Sequence, residues 1–523
     1  MEKSRFFSFK RVLFTLVFSL LAASAFAQIE VKVYHFLGEG SNTLWSNVDN
    51  WENGLKPGHD SIYTMVYISP IHVDPQNADI IMDEDVTIDY LNLDPPIFYD
   101  NHLVIQEGKT LTVNDTIVNH ERDIVIEDGA QLVYPHEINV VMKKNIAAYD
   151  VDEHYIEFIA SPILTPVTPS FENGLLTEPV ETSFSLMYFD EESRLWLRYS
   201  QSPFDLENGR GYAYANAYDT VLRFEGMVRG SATPVEVSLD YHANNGAVAG
   251  SNLVGNPLPC NAFTDHSHYV LNEKGTSMLA VAASEAVAIP PCRGIFVKAE
   301  SEWETVAFSK TNEYQSAVNQ GYIELSIAKT AAQNEVVDNA ILSFNAGDNL
   351  RKVQIFDQPY LYFNNNSMDY AIISIDSVDV LPVRLKVAEN GSYTLNVTQK
   401  ELNLSYLHLI DNITGFNIDL LTTPEYTFTS STNDYASRFK LVFDPHYGIE
   451  EFEAENFAYF ADGQIYITDT QDFVSLQLID MTGRVILRSD DAHTVSTTGM
   501  APGIYLLRLN TGNRIMTQKI VIR

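Results

Sequence analysis

The chain has 523 residues, more than one hydrophobic core organises, so several domains are expected, each large enough for a normal apolar interior. Its formal charge is −36, and a surface that acidic repels phosphate backbones and anionic lipid. Nucleic acid is therefore excluded as a partner, because backbone neutralisation needs clustered Lys and Arg. Two cysteines exclude a disulfide-dense scaffold.

At the front, Lys3, Arg5, Lys10 and Arg11 precede the apolar run 12–23, and Ala25-Phe26-Ala27 supplies the small residues that a signal peptidase reads. A membrane anchor needs about 20 apolar residues, and this run is shorter. Residues 1–27 read as a secretory signal peptide cut between Ala27 and Gln28, which makes the Sec machinery and signal peptidase the first partners. The leader's four cations against Glu2 contribute +3, which leaves −39 on the remainder.

Region 28–144 is dominated by short β-branched strands broken by acidic and glycine turns. Leu103-Val104-Ile105, a turn at Gly108 and Thr110-Leu111-Thr112-Val113 are echoed by Ile124-Val125-Ile126, a turn at Gly129 and Gln131-Leu132-Val133, with the glycines 21 residues apart. A strand, tight turn and strand at that period is one rung of a parallel β-solenoid, and 80–88 reads as a looser earlier rung. Ahead of the rungs, Trp45-Ser46-Asn47-Val48-Asp49-Asn50-Trp51 and Lys56-Pro57-Gly58-His59-Asp60 resemble a lead-in found before such rungs in large surface proteins. Trp45 and Trp51 are expected to cap the open end of the stack, with a sugar-stacking platform as the functional alternative.

Region 145–312 carries strands at Leu186-Met187-Tyr188-Phe189, Gly211-Tyr212-Ala213-Tyr214 and Gly294-Ile295-Phe296-Val297, separated by turn clusters at spacings that suit an antiparallel sandwich. The phrases Gly209-Arg210-Gly211-Tyr212, Asn252-Leu253-Val254-Gly255-Asn256-Pro257 and Gly294-Ile295-Phe296-Val297 resemble an uncharacterised module of exported bacterial cargo proteins, which implies no activity. Cys260 and Cys292 would meet an oxidising periplasm, and a disulfide between them would stabilise the fold by roughly 3–4 kcal/mol. Region 313–445 reads as a second sandwich, with a hairpin over 405–417 turning at Asp411-Asn412-Ile413-Thr414-Gly415. Residues 446–456, with Glu450, Glu451, Glu453 and Glu455, form the expected linker.

Nucleophile elbows, zinc-protease helices, phosphate loops and Cys-x-x-Cys pairs are missing from the sequence, so no catalytic residue, metal ligand or cofactor is assigned and a non-enzymatic role is expected. Asp265-His266-Ser267-His268 is the best metal candidate, because two histidines two apart on a strand share a face, yet no third ligand is nominated by spacing. Carboxylates cluster at Asp83-Glu84-Asp85, Asp190-Glu191-Glu192 and Asp376 with Asp379, which solvated turns explain. The tripeptides at Asp60-Ser61-Ile62, Asp115-Thr116-Ile117, Asp219-Thr220-Val221 and Asp376-Ser377-Val378 resemble a bacterial periplasmic O-glycosylation sequon.

The last region, 457–523, alternates at Ser475-Leu476-Gln477-Leu478-Ile479, turns at Asp480-Met481-Thr482-Gly483-Arg484 and returns at Val485-Ile486-Leu487. A second turn at Gly499-Met500-Ala501-Pro502-Gly503 leads to Ile504-Tyr505-Leu506-Leu507, and Lys519-Ile520-Val521-Ile522 closes the segment. Asp480, Gly483, Arg484, Pro502, Gly503, Tyr505 and Lys519, in this order and position, resemble the type A C-terminal sorting domain of type IX secretion substrates. That resemblance implies an Ig-like β-sandwich that directs outer-membrane translocation through the type IX translocon. It further implies removal by a sortase-like protease and release of the cargo or attachment to surface lipopolysaccharide. The expected whole is an all-β, multidomain exported protein on the cell surface or outside the cell: a short solenoid-like region, antiparallel sandwich-like domains and the sorting domain. A structural or adhesive role is expected, with glycan binding or degradation as the alternative and a glycan or protein as ligand.

Overall fold

The computed structural model describes residues 30–58, 62–68, 79–93, 102–119, 123–150, 156–178, 183–312, 321–330, 335–344, 349–354, 358–445, 457–461, 463–468, 475–480, 483–489, 493–510 and 515–522. The described structure is nearly all β, with helix confined to short turns. The chain divides into two compact units: Met1–Ser405 with Leu409–Leu441, and Tyr406–His408 with Val442–Arg523.

The first unit begins as a parallel stack. Strands β1 (Val31–Phe36), β2 (Tyr63–Ile68), β4 (Val86–Leu93), β6 (Thr110–Asn119) and β8 (Gln131–Val133) form one sheet; β3 (Ile80–Met82), β5 (Leu103–Ile105), β7 (Ile124–Ile126) and β9 (Ile138–Ile146) form the other. The expected rungs are there, including the looser one at 80–88, whose second strand runs on to Leu93. Ile80 pairs with Leu103 and Leu103 with Ile124; on the opposite sheet Val86 pairs with Leu111 and Leu111 with Leu132. Each of these side chains is buried, so like sits on like in the interior. Gly108 and Gly129 turn at φ +70° and +71°, the left-handed conformation that lets a strand change sheet within a few residues.

Both ends of the stack are covered. Trp45 lies at the N-terminal end with its amide donating to the Ile81 carbonyl at 2.8 Å, and Trp51 donates its indole N–H to the Trp45 carbonyl at 2.8 Å. The two rings meet edge to face at 4.6 Å and Phe36 packs on Trp51 at 5.2 Å. Trp45 and Trp51 are 0% and 3% exposed, so they are caps, and a sugar could not stack on them. At the far end β9 pairs antiparallel with β14 (Thr220–Val228), and the Pro259 carbonyl accepts from the Leu132 amide.

Between β9 and β14 the chain makes β10 (Glu157–Ala160), β11 (Phe184–Asp190), β12 (Leu195–Arg198) and β13 (Gly211–Asn216), a four-stranded antiparallel sheet in the order β10-β13-β11-β12. After β14, strands β15 (Val235–Ser238), β17 (Phe263–Thr264) and β21 (Thr305–Ser309) form one small sheet. Strands β16 (Ser251–Gly255), β18 (His268–Leu271), β19 (Met278–Val281) and β20 (Gly294–Lys298) form another. The last of these lies in the middle layer. Phe296 packs against Phe158 and Phe189 on one side, while Ile295 and Val297 join Val306 and Phe308 on the other. Burial on both faces is why β16 and β20 carry continuous rather than alternating apolar residues.

The three phrases around Gly211, Gly255 and Gly294 meet at one crossing. A Cβ on Gly211 would lie 2.7 Å from the Val254 carbonyl oxygen, and one on Gly255 would lie 2.2 Å from the Ala160 Cβ and 2.8 Å from the Arg210 carbonyl oxygen. These glycines let two sheets touch backbone to backbone, with the Gly255 amide donating to Gly209 and the Ala160 amide to Cys292. Buried Asn256 completes the crossing by donating its amide to the carbonyls of Cys260 and Ile289 at 2.9 Å each.

The expected disulfide is not formed: Cys260 and Cys292 are both buried free thiols. The reason is direction. Their loops are joined through Asn256, but Cys260 points into the cluster around Leu258 and Val306, whereas Cys292 points into the cluster that continues from the stack. Burial pushes both thiols up to about 12, which suppresses the reactive thiolate.

The rest of the first unit is a long sheet of eleven strands among the described residues, mostly antiparallel, with one parallel pair between Glu335–Phe344 and Met368–Ile375. The expected turn at Asp411–Gly415 is present, with Gly415 at φ +77° and its amide donating to the Asp411 carbonyl. Two buried ion pairs lock this region. Arg438 grips Asp411 at 2.8 Å with its guanidinium 4.3 Å over the Phe428 ring, and Lys352 holds Asp338 at 2.6 Å while the Leu361 amide donates to the same carboxylate. Burial raises Asp338 to about 6 against the pull of Lys352.

The second unit contains a three-stranded sheet (Ala458–Ala461, Gln464–Ile467, Thr494–Ser496) and a four-stranded sheet ordered Val485–Ser489, Ser475–Asp480, Gly503–Asn510, Ile515–Ile522. Its interior is made of Ile465, Ile467 and Val495 from one sheet and Leu476, Leu478, Leu507, Leu509, Ile520 and Ile522 from the other. This is a small antiparallel sandwich, as alternation along 475–479 predicts.

Candidate functional site

The sequence motif of the last region is carried by two turns at one end of the four-stranded sheet. Asp480 and Tyr505 are cross-strand neighbours. At the first turn the Gly483 amide donates to the Asp480 carbonyl, the Asp480 amide to the Arg484 carbonyl, and the Arg484 amide to Asp480 Oδ1, each at 3.0 Å. Gly483 takes φ +83°, which a side chain would strain, and Arg484 Nε reaches Asp480 Oδ2 at 3.2 Å. Met481 and Thr482 lie outside the described residues. The aspartate is therefore the turn's internal clamp, while Arg484 keeps most of its side chain in solvent.

At the second turn Tyr505 is buried, and its hydroxyl donates to the Ala501 carbonyl at 2.8 Å. The ring lies beside Gly503, where a Cβ would sit 3.7 Å from Tyr505 Cε2. Pro502 is exposed at the tip of this turn, and Lys519 is exposed on the last strand opposite Leu506. Asp480, Gly483, Gly503 and Tyr505 thus shape the turns, and Arg484, Pro502 and Lys519 face outward.

Two further residues hold the module together and were missed by motif reading. Gln518 is buried on the last strand, accepts from the Ala458 amide at 2.9 Å and donates to the Ala458 carbonyl at 2.6 Å, so one side chain joins the two sheets. Thr497 donates its hydroxyl to the Gly463 carbonyl at 2.7 Å. The one signal in the sequence was a glutamine among the inward positions Met516, Ile520 and Ile522, where only a partnered polar group is tolerated.

In the cargo region, His266 and His268 are not brought to a common point. His266 sits between carboxylates, Nδ1 at 2.8 Å from Asp265 and Nε2 at 3.2 Å from Glu304, whereas His268 directs Nδ1 to the His266 carbonyl. Burial works against ionisation of Asp265, but the His266 ring and the Ala307 amide outweigh it and hold the carboxyl below its ordinary range. Glu191, from the acidic cluster 190–192, is buried and accepts from the amides of Gly250 and His242 and from the His242 ring. Burial opposes its ionisation too, yet these donors keep it low, and the carboxylate in turn raises His242. Both groupings pin loops between strands.

Of the sequon-like tripeptides, Ser377 is exposed, Thr116 and Thr220 are half-buried, and Ser61 lies outside the described residues, as do Ala27, Gln28 and the linker 446–456. An apolar cleft of about 470 Å³ is lined by Ile156, Phe158, Val270 and Ile289, with Glu157 and Arg293 paired at 3.2 Å on its wall.

Composition separates the two parts of the chain as sharply as geometry does. Residues 457–523 hold six Lys and Arg against six Asp, so all of the −36 belongs to what precedes them. Comparison with curated proteins finds no match for this chain. Residues 461–523 match the family model described as a secretion system C-terminal sorting domain, so the chain carries a type IX sorting domain and is exported to the cell surface or the extracellular space.

Proposed function

We propose that the exported cargo is a structural or adhesive surface protein, brought to the periplasm by a signal peptide cut between Ala27 and Gln28 and freed of its sorting domain after translocation. The observation that supports this reading is how the cargo uses its buried charges. Asp338 with Lys352, Asp411 with Arg438, and Glu191 with His242 are all tied to counter-charges or backbone amides that join strands and loops, as a rigid scaffold requires. Broad sheet faces then remain for contact with a partner.

One observation favours a second reading, glycan binding. On the outward face of the first sheet of the stack, His35 stacks on Tyr67 at 5.3 Å and Tyr67 lies 5.8 Å from Tyr90, an aromatic row that crosses successive strands. Such a row gives flat apolar faces at the strand spacing of about 4.8 Å, on which a polysaccharide could lie. The two readings are separated by exposing the purified mature cargo and its Tyr67→Ala variant to a glycan array while comparing adhesion of cells with and without the gene. Loss of adhesion with a blank array is expected; a glycan signal that Tyr67→Ala abolishes would move the assignment to carbohydrate binding.

A further inference from the structure

The outer face of the four-stranded sheet in the sorting domain departs from what a solvent-facing sheet should be. An antiparallel sheet with one face on a core shows polar residues on the other. Here Ile504, Leu506 and Val521 point outward at 39%, 37% and 44% exposure, and Ile504 and Val521 are direct cross-strand partners. Around them the cations are set in register: Arg488 and Arg508 both pair with Gln477, and Lys519 pairs with Leu506. Among the described residues, no outward position of these four strands carries a carboxylate, although the chain as a whole is strongly acidic.

We propose that this face is the surface by which the tail docks on the type IX machinery, and that its partner is a protein patch with apolar residues inside an acidic rim. The proposal rests on the sorting assignment and adds where recognition occurs. Exposed contiguous aliphatics mark an interaction surface, and the flanking cations supply charge complementarity that steers the encounter and fixes its register. The motif turns, by contrast, spend Asp480 and Tyr505 on their own internal hydrogen bonds. A face built on the sheet can be read whatever cargo precedes it.

The test uses the full chain in a cell that runs type IX export. Arg508→Glu with Lys519→Glu should lower the surface fraction by about tenfold with accumulation in the periplasm, the equilibrium equivalent of losing about 1.4 kcal/mol of binding. Ile504→Thr, Leu506→Thr and Val521→Thr together keep strand propensity and should give the same retention, whereas Tyr459→Ser, at a 53%-exposed position of the other sheet, should export normally. A photo-crosslinking residue at position 506 should capture an envelope protein that the same residue at 459 does not. Wild-type export of both face variants, or adducts at 506 only to lipid, would overturn the docking face while retention of a 457–523 deletion kept the sorting assignment intact. Export of that deletion would overturn the assignment itself.

Discussion

The parallel stack at the front of the cargo and the sandwich at the tail are both two-sheet β structures with aliphatic interiors, yet they are completed in opposite ways. In the stack each rung repeats the one before, so nothing in the register Ile80-Leu103-Ile124 says where to stop, and the end is closed by the separate aromatic group of Trp45, Trp51 and Phe36. In the tail every strand is different and the last one is obligatory: Gln518, Ile520 and Ile522 bring the inter-sheet hydrogen bonds and part of the core. A repeat fold fails at its ends, and a closed sandwich fails as a whole.

The largest effect should follow from cutting the tail after residue 514. Removing Ile515–Ile522 takes away a whole neighbour of Gly503–Asn510 and three buried residues, so the sorting domain should not fold and surface exposure, measured by protease shaving, should be abolished. A truncated chain that still reached the surface would mean the tail is not closed by its last strand. Next comes the stack's cap. Trp45→Ala empties the site of a fully buried indole and should cost about 3–5 kcal/mol, read as a lower melting temperature of the cargo with hydrogen exchange speeding up first at β1 and β3. Uniform acceleration across the stack would show that the rungs unfold together and that the end has no special status.

The smallest effect is the pH response of the cargo loop held by Glu191 and His242. Glu191 is held below its ordinary 4.5, so its contribution is present above that value and lost as pH falls through the lower folded value. His242 is raised above its ordinary 6.5, so its contribution is complete below 6.5 and lost as pH rises through the higher folded value. Melting temperature should therefore hold between those limits, and His242→Gln should flatten the alkaline limb and shrink the acid limb without removing it, because the Gly250 amide still donates to Glu191. An unchanged alkaline limb would place that slope elsewhere.

Much of the fold is legible in the sequence where the pattern is local. The 21-residue echo of Gly108 and Gly129 announces the rungs, and the alternation along 475–479 announces a half-buried strand, because side-chain direction in β structure follows from neighbouring residues alone. Asp480 to Arg484 declares its turn for the same reason. The cysteines show the limit: proximity of their loops is real, held by Asn256, but the side chains turn to different cores, which spacing does not encode. Gly211, Gly255 and Gly294 looked like a family signature and proved to be the point where two sheets touch.

By itself, then, the sequence determined strands, turns, the repeat and the sorting motif, since these depend on local backbone preference and the period of apolar residues. Only the tertiary structure decided which polar groups are paired across the molecule, as with Gln518 and Ala458 or Arg438 and Asp411, and which apolar residues are left facing outward, as with Ile504, Leu506 and Val521. Those outcomes depend on which surfaces meet, and contacts between residues tens of positions apart are fixed by packing and not by sequence neighbours.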